Sequence, residues 1–423
     1  MRSRVLVGRN RAIGTCPDAV LRKTLQYLGG LLLLMGVWAG SAQAVTGVTY
    51  VTGESGSSDV IFRVEFDTAV AGSGVATIAV TDARMLSLDG IDFVPGTSDT
   101  EVVIGMPPGK IGRFNVSTGM VLTDFIADTD AIDVSTPPPT PSSWPSSILA
   151  TTTHFYYVEN QFGLGSTPDH RIIRRAFSGG AEELVFDGSA AAAFFGGAAL
   201  TNFEGLEIVN LGGGFGERLF FFTEDPFSPP DRWLVSIGLT GAGVWDGLEP
   251  FIELSGLSGA VDGTGADELD FDPFTDLLFG TNIVTGEVIA YDPAASAPVV
   301  PPGGTSPFFI SPAQVASGAA DGLGLLGLEI DGIRSDGAGR MVFTGRGGVV
   351  GSFDIASIVA SGATDAAVHA LVLDATKTFD DLTPMESPAG APLPALGPGG
   401  LAVLAALLLW MSASVLRSRR LFG

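Results

Sequence analysis

The chain has 423 residues and a net charge of −24, with 46 Asp and Glu residues against 22 Lys and Arg residues. Nine of the 22 basic residues precede residue 45 or follow residue 416, whereas 45 of the 46 acidic residues lie between these positions. A body this acidic repels phosphates, which excludes nucleic acid as a partner. The 58 Gly and 26 Pro residues, with frequent Val, Ile, Thr and Phe, indicate β structure that is rich in turns.

The first 44 residues are typical of an export signal. A basic region ends at Lys23, residues 28–37 are apolar, and Ala42 and Ala44 form a small-x-small cleavage site. The apolar run is short for a membrane span, so we predict cleavage after Ala44 rather than a retained anchor. The only cysteine, Cys16, leaves with the signal. The mature chain then has no disulfide and no thiolate metal site.

A strand-like phrase recurs six times in the body. Each copy is predicted to end in this phrase, which alternates and closes on an aromatic residue or Ile; the closing residues are 48 to 63 residues apart. The copies are residues 60–66, 110–115, 171–177, 232–237, 287–292 and 349–354. The clearest copy lies in residues 266–293, where strand, turn, strand, turn, strand predicts an antiparallel meander.

Sheets of about 40–50 residues that repeat along a chain are typical of radial β architectures. We therefore predict an all-β fold, a six-bladed β-propeller over residues 45–382, with a β-sandwich as the alternative. Residues 368–374 form one strand more than the six copies need. They are predicted to pair with residues 45–51 and so to close the ring without an open sheet edge.

Two stretches of the body rich in Pro and Ser, residues 136–147 and 294–312, are predicted to be loops that join no sheet. Helix is predicted to be scarce. Residues 187–200 contain a run of Ala without an amphipathic period, and we expect a loop there with at most one helical turn.

The C-terminal region has three parts: a Pro/Gly-rich linker at residues 383–398, an uncharged 18-residue stretch at residues 399–416, and a basic tail at residues 417–423. Eighteen apolar residues can span the hydrocarbon core of a bilayer as a helix. The arginines of the tail are expected to stay on the cytoplasmic side. The sequence therefore predicts a C-terminal transmembrane helix.

A short motif precedes and enters this stretch. It consists of Leu393, Pro394, Ala395 and Leu396, followed by Gly400 and Leu401. Motif, helix and basic tail in this order resemble the C-terminal protein-sorting domains of Gram-negative bacteria, the IPTL-CTERM type more than the related PEP-CTERM type. The resemblance implies export to the cell envelope or surface, with a sorting protease or transpeptidase as partner. A plain membrane anchor is the alternative.

A second phrase, which carries an acidic residue, opens four of the six copies, at residues 88–93, 203–208, 266–271 and 330–333. If this phrase is the innermost strand of a blade, four carboxylates meet at one mouth of the central channel: Asp89, Glu204, Asp267 and Asp331. Converging carboxylates cannot all stay ionised without a cation, and hard oxygen ligands suit Ca²⁺. We predict a Ca²⁺ site there; the alternative is that Asp-Gly and Glu-Gly only turn the chain into the strand.

The pairs Glu204-Gly205 and Asp331-Gly332 resemble the inner-strand openings of gluconolactonase-like six-bladed propellers, which are metal-dependent lactonases and esterases. The resemblance implies a metal held by a Glu, an Asn and an Asp from different blades, but no Asn-Gly opens a blade here. The favoured function is a non-catalytic envelope propeller that binds a polysaccharide or a protein. The alternative is a Ca²⁺-dependent lactonase-like hydrolase.

Overall fold

The structure is a computed structural model that describes residues 46–83, 85, 88–106, 110–126, 132–133, 140–141, 143–161, 170–212, 216–229, 231–257, 266–283, 286–299, 308–310, 330–361 and 368–386. The predicted signal peptide, sorting motif, transmembrane stretch and basic tail lie outside these ranges. Within them, no helix is both long enough and apolar enough to cross a membrane.

The first half of the described chain supplies three antiparallel sheets and a short ribbon. Blade 1 contains β1 (Thr46–Ser55), β2 (Ser58–Asp67) and β3 (Val75–Thr81). Blade 2 contains β4 (Asp89–Phe93), β5 (Glu101–Met106), β6 (Lys110–Asn115) and β7 (Met120–Ile126). The ribbon pairs β8 (Ile132–Asp133) with β9 (Thr140–Pro141). Blade 3 contains β10 (Ser143–Ala150), β11 (His154–Gln161), β12 (His170–Ala176) and β13 (Glu183–Asp187).

The second half supplies three further sheets and the last strand of blade 1. A 3₁₀ turn at Ala190–Ala193 precedes blade 4, which contains β14 (Thr201–Asn210), β15 (Glu217–Glu224), β16 (Arg232–Gly238) and β17 (Phe251–Leu257). Blade 5 contains β18 (Ala266–Asp272), β19 (Leu277–Asn282), β20 (Glu287–Asp292), β21 (Ala297–Pro298) and β22 (Phe308–Ile310). Blade 6 contains β23 (Ile330–Ser335), β24 (Arg340–Gly345), β25 (Val349–Asp354), helix α1 (Ile355–Ser361) and β26 (Val368–Leu373). The final strand, β27 (Lys377–Leu382), joins blade 1.

The fold is a six-bladed β-propeller, as the repeat predicts. Every copy of the recurring phrase falls on the third strand of its blade, counted from the centre, rather than on the last. The opening phrase falls on the innermost strand in blades 2, 4, 5 and 6. The meander predicted for residues 266–293 is β18, β19 and β20, and Asp272 caps its first turn by accepting from Thr275 N at 3.0 Å and from Thr275 Oγ1 at 2.6 Å.

The prediction of how the ring closes is wrong in one respect. Residues 368–373 are β26, the outer strand of blade 6, and pair with β25 rather than with the N-terminal strand. The closing strand is β27, which pairs with β1 through Val51 opposite Leu382 and Ser55 opposite Lys377. A three-residue turn after β26 lets the chain cross to blade 1, where β27 takes the innermost place. No sheet edge at this closure is left open.

The prediction that the two Pro- and Ser-rich stretches join no sheet is also wrong. Residues 143–147 belong to β10, and Pro145 lies opposite Glu159 of β11. An innermost strand pairs on one side only, so it tolerates proline as an edge strand does. In the second stretch, β21 and β22 both pair with β20 at the outside of blade 5. The single helical turn expected in residues 187–200 is the 3₁₀ turn at Ala190–Ala193.

In the described part of the chain the core consists of six apolar clusters, one between each pair of neighbouring blades. Between blades 5 and 6, for example, Phe279 and Val288 pack with Ile333, Met341 and Phe353. The other five clusters repeat this arrangement around the ring. Each sheet is therefore buried on both faces, which is why its strands read as nearly continuous apolar runs.

Candidate functional site

The innermost strands of the six blades surround a central channel. In ring order they are β27, β4, β10, β14, β18 and β23, and each contacts the next. Gly90 N of β4 donates to Asp381 Oδ2 of β27, Gly205 N of β14 donates to Ser147 Oγ of β10 at 2.8 Å, and Gly90 lies against Ile148 N of β10. Further along, Ala150 N donates to Asp92 Oδ2 at 2.7 Å. The strands therefore run in the same direction, and we call the end where they begin the mouth and the end where they finish the exit end.

A bulge near the start of four innermost strands decides which side chains face the channel. The register of each shifts there, as between Asp89 and Ile91 and between Glu204 and Leu206. In a regular strand residues two apart share a face, but an inserted residue brings residues three apart onto it. Two tiers follow. The mouth tier contains the four predicted residues, Asp89, Glu204, Asp267 and Asp331. The inner tier, three residues further on, contains Asp92, Glu207, Asp270 and Arg334.

Glycine follows the mouth-tier acid where the bulge needs it. Gly90 has φ 65° and Gly205 has φ 59°, both in the left-handed region that favours glycine. A Cβ at Gly90 would lie 2.6 Å from Ile148 N, and a Cβ at Gly205 would lie 2.4 Å from Asp267 O. These glycines let the backbone of one blade approach the next. The glycines of Asp-Gly and Glu-Gly therefore have a backbone role at the start of the strand, as the alternative interpretation of these pairs expects.

The structure brings three of the four predicted residues into one electrostatic group. Asp267 is hydrogen-bonded to Asp331, and Glu204 interacts with the charge of Asp331 and of Asp381 on the closing strand. Asp89 instead lines an adjoining cavity with Asp380 and Arg346. The mouth therefore gathers carboxyl groups from blades 1, 2, 4, 5 and 6.

The carboxyl groups of this electrostatic group all have hydrogen-bond partners within the protein. The three residues are Glu204, Asp267 and Asp331. Asp331 accepts from Arg346 Nε at 2.6 Å, and Arg346 Nη2 lies 3.4 Å from Asp380 Oδ1. Glu204 accepts from Ser146 Oγ at 2.9 Å and lies 3.4 Å from Asn160 Nδ2. Asp267 has its hydrogen bond to Asp331. The polar groups of the mouth are thus used largely in holding the blades to one another.

Burial decides the protonation of the mouth. It raises the pKa of Glu204 to about 7 and holds the pKa values of Asp267 and Asp380 well above the usual range of aspartate. Burial acts in the same direction on Asp331, but hydrogen bonds from Asp267 and Asp380 and the charge of Arg346 outweigh it and lower the pKa of Asp331. At neutral pH the mouth therefore contains one firmly ionised carboxylate, Asp331, which is paired with Arg346. Asp267 and Asp380 keep their protons, and Glu204 is close to half ionised.

The inner tier repeats this arrangement around a single guanidinium. Arg334 Nη1 lies 2.7 Å from Glu268 Oε1, and Arg334 Nε lies 4.0 Å from Asp270 Oδ1. Burial raises the pKa of Asp92 to about 6, of Asp270 to about 7 and of Glu268 to about 8. One charged arginine cannot neutralise every acid around it, so near neutral pH Glu268 is largely protonated, Asp270 is close to half ionised and Asp92 is largely ionised.

Sequence reasoning missed five residues of the mouth. They are Asp380, Asp381, Arg346, Ser146 and Asn160. Asp380 and Asp381 are adjacent acids in the last strand of the body, and only the ring closure brings them beside blade 2 and blade 6. Arg346 lies in the turn between β24 and β25, where a single charged residue belongs to no repeated sequence pattern. Asn160 ends the second strand of blade 3 and reaches Glu204 across the blade boundary.

A cavity of about 290 Å³ opens beside the mouth, between blades 1, 2 and 6. Its charged lining consists of Glu54, Asp59, Asp89, Asp380 and Arg346. The volume is close to the lower end of ligand pockets, about 300 Å³. Among the residues that the structure describes, no three His, Cys, Asp or Glu side chains are grouped so as to hold one metal ion together.

No protein-family profile matches this chain, and no curated protein matches it.

Comparison with solved structures gives distant likenesses. Regucalcin of Agrobacterium tumefaciens, a calcium-binding protein, shares 12% identity with a TM-score of 0.39, over 65% of this chain and 72% of that chain. A protein of unknown function from Bacteroides thetaiotaomicron shares 12% identity with a TM-score of 0.45, over 77% and 76% of the two chains. A protein from Bacteroides uniformis assigned as a 6-phosphogluconolactonase shares 14% identity with a TM-score of 0.39, over 73% and 79%. Such values do not transfer a ligand or an activity to this chain.

Proposed function

We propose that this chain is an exported propeller, anchored in or sorted to the envelope of a Gram-negative bacterium, with a binding or structural role rather than a catalytic one. The observation that carries the proposal is the pairing at the mouth. Arg346 lies at hydrogen-bonding distance from Asp331, which is the place where a cation would have to bind. Glu204 is held by Ser146 and Asn160. Its partner would be an envelope polysaccharide or protein bound outside the channel.

A catalytic propeller needs an open position at its metal and a general acid or base that can reach the substrate. The buried acids of the channel are engaged within the protein instead, Asp331 by Arg346, Glu204 by Ser146 and Asn160, and Glu268 by Arg334. His170 is not a general base for this site either, since burial lowers its pKa to about 4 and its Nδ1 lies 2.9 Å from Asn160 Oδ1. These contacts favour a structural role for the channel.

The second candidate is a Ca²⁺-dependent, lactonase-like hydrolase, and one observation favours it. Glu204, Asp267 and Asp381 all interact unfavourably with Asp331 or with one another, and burial keeps their pKa values above the usual range. A divalent cation that replaced their protons would relieve this repulsion, and carboxylate oxygens are suitable ligands for Ca²⁺. Binding would require Arg346 to move away from Asp331.

A calcium titration separates the two candidates. A ligand that binds only the native state stabilises it by about 2.7 kcal/mol at a hundredfold excess over Kd. For a domain of this size that is a rise in Tm of about 3–6 °C. The first candidate expects millimolar Ca²⁺ to raise Tm no more than Mg²⁺ does, measured by calorimetry. The control is Glu204→Gln with Asp331→Asn: a calcium-specific rise that this double variant loses, together with calcium-dependent lactone hydrolysis, would favour the second candidate.

The anchoring half of the proposal has its own test. Mature protein is expected to begin at Val45 and to sediment with membranes. Deletion of residues 399–423 should move it to the soluble fraction, because the deletion removes the predicted span and its basic tail. Membrane fractionation with N-terminal sequencing measures both points. Continued sedimentation of the truncated chain, or residues before Ala44 in the mature protein, would contradict the expectation.

A further inference from the structure

Both ends of the described body leave the propeller at the exit end, side by side. β1 begins there, since Thr46 pairs with Asp67 at the end of β2. After β27 the chain continues along β1: Glu386 N donates to Val48 O at 2.7 Å, and Tyr50 Oη donates to Glu386 Oε1 at 2.9 Å. The sequence that is predicted to enter the membrane therefore leaves from the end of the channel opposite the mouth.

The loops around this end expose apolar side chains. Val70 lies in the turn after β2, Leu248 in the loop after β16, Phe274 in the turn after β18, and Val359 in α1 after β25. Their exposed fractions are 49%, 68%, 60% and 39%. All four positions follow strands that run from the mouth to the exit end. They belong to blades 1, 4, 5 and 6, which are consecutive around the ring.

Two of these loops also lack charge, in a body that is strongly acidic. Residues 68–74, TAVAGSG, and residues 355–361, IASIVAS, contain no Asp, Glu, Lys or Arg. The first loop is fixed against blade 6, because Gly72 N donates to Ala370 O at 2.8 Å and Gly74 N donates to Leu371 O at 2.9 Å. The first charge-free loop therefore packs on β26, the outer strand of the blade that carries the second one.

We propose that the exit end of the propeller rests on the lipid bilayer that residues 399–416 are predicted to span, so that the mouth points away from the membrane. The exit-end surface is defined by Val70, Leu248, Phe274 and Val359. This inference rests on the anchoring proposed above. The occupant is a zwitterionic phospholipid surface, because the acidic body repels anionic headgroups.

A weak contact with the bilayer is sufficient to orient the propeller, because the linker to the predicted span already keeps the protein near the membrane. Twelve residues, 387–398, separate the described body from the predicted span and reach at most about 40 Å when extended. A tether of this length holds the exit-end surface at an effective concentration in the millimolar range. A few apolar side chains that enter the boundary between headgroups and acyl chains can then keep the propeller in one orientation.

Site-specific fluorescence on the full mature chain in phosphatidylcholine liposomes tests the orientation. The mature chain is predicted to contain no cysteine, so Phe274→Cys, Val70→Cys and Phe227→Cys can each be labelled singly. Phe227 is the matched control: it is an exposed phenylalanine in a turn at the mouth end, 66% exposed against 60% for Phe274. Because all three side chains are exposed, the variants should keep the Tm of the parent.

A quencher attached to the lipid acyl chains is expected to reduce the emission at positions 274 and 70 by about twofold or more relative to position 227, since interfacial groups enter the bilayer by about 5–10 Å. Aqueous iodide should show the reverse order. Equal quenching at all three positions, in protein that floats with the liposomes, would overturn the orientation and leave the anchoring intact. Protein that does not float would overturn the anchoring and the orientation with it.

Discussion

Replacement of Arg334 by methionine is expected to destabilise the propeller by about 3–5 kcal/mol at pH 8, because it leaves buried carboxylates without a counter-charge. Arg334 is buried, and its Nη1 lies 2.7 Å from Glu268 Oε1 and 2.9 Å from Ile333 O. Burial would lower the pKa of Arg334, but the charges of Glu268, Asp270 and Asp92 raise it overall, so the guanidinium is ionised in the folded protein.

The stability lost in Arg334→Met should be greater at high pH than at low pH. A purely steric effect of the substitution would not depend on pH. At pH 5 the acids around Arg334 hold their protons, since their folded-state pKa values are raised to between about 6 and about 8. The variant then lacks packing and hydrogen bonds but leaves no bare charge. Urea unfolding at pH 5 and pH 8 is expected to show the larger loss at pH 8.

A surface arginine provides the matched control for this measurement. Arg63 pairs with Glu65, and their side chains are 35% and 57% exposed. An exposed pair of this kind contributes about 0–1 kcal/mol. Arg63→Met should therefore change the free energy of unfolding little, and equally at both pH values. If Arg334→Met cost no more than Arg63→Met at pH 8, the ion pair in the inner tier would not contribute to the fold.

The propeller could be predicted because its repeat lies in strands that are buried on both sides. The third strand of a blade contributes side chains to the two clusters on either side of the blade, as β20 and β25 do, so its apolar pattern varies little. The innermost strands vary more. They pair on one side only and face a channel, so β10 contains Pro145 and three serines, and this strand resembles a linker in sequence.

The closing strand shows the limit of reasoning from local pattern. β26 and β27 are both short and are separated by three residues, and the sequence pattern predicted only the first of them as a strand. Which of them pairs with β1 depends on a contact between the two ends of the body. Asp380 and Asp381 therefore could not be assigned to the mouth from the sequence, although the four acids of the opening phrase could. Arg346 pairs with Asp331 within blade 6, and only its second contact, with Asp380, depends on the same closure.

The stability of the wild-type protein is expected to fall as pH rises from about 5 to about 8. The pKa of Glu204 is 4.5 in an ordinary environment and about 7 in the folded state, chiefly because burial disfavours the charged form. The folded chain therefore holds a proton that the unfolded chain has already lost in this range. Since the native state binds more protons, the free energy of unfolding decreases with pH. The stability from this group is complete below pH 4.5 and is lost as pH rises through 7.

Asp92 and Asp270 act in the same direction, so the effect of the channel exceeds that of one residue. The pKa of Asp92 rises from 3.8 in the unfolded chain to about 6 in the folded protein. This difference corresponds to about 3 kcal/mol of stability, which is present at low pH and lost as pH rises through 6. Asp374, at the surface, behaves in the opposite way. Hydrogen bonds that it accepts from Lys377 and Thr376 lower its pKa to about 2, so the stability it contributes is lost only in strong acid.

Glu204→Gln isolates one titrating group of the mouth without altering its shape. A glutamine can donate to Ser146 Oγ and accept from Asn160 Nδ2, so it keeps both contacts of the protonated acid. The variant is expected to match the wild type at pH 5 and to be more stable by about 2–3 kcal/mol at pH 8–9, where the wild type must ionise Glu204 in a buried site. Urea unfolding across this pH range measures the difference. If the two curves stayed parallel, Glu204 would titrate in the folded protein as it does in water, and the internal neutralisation of the mouth would lose its main support.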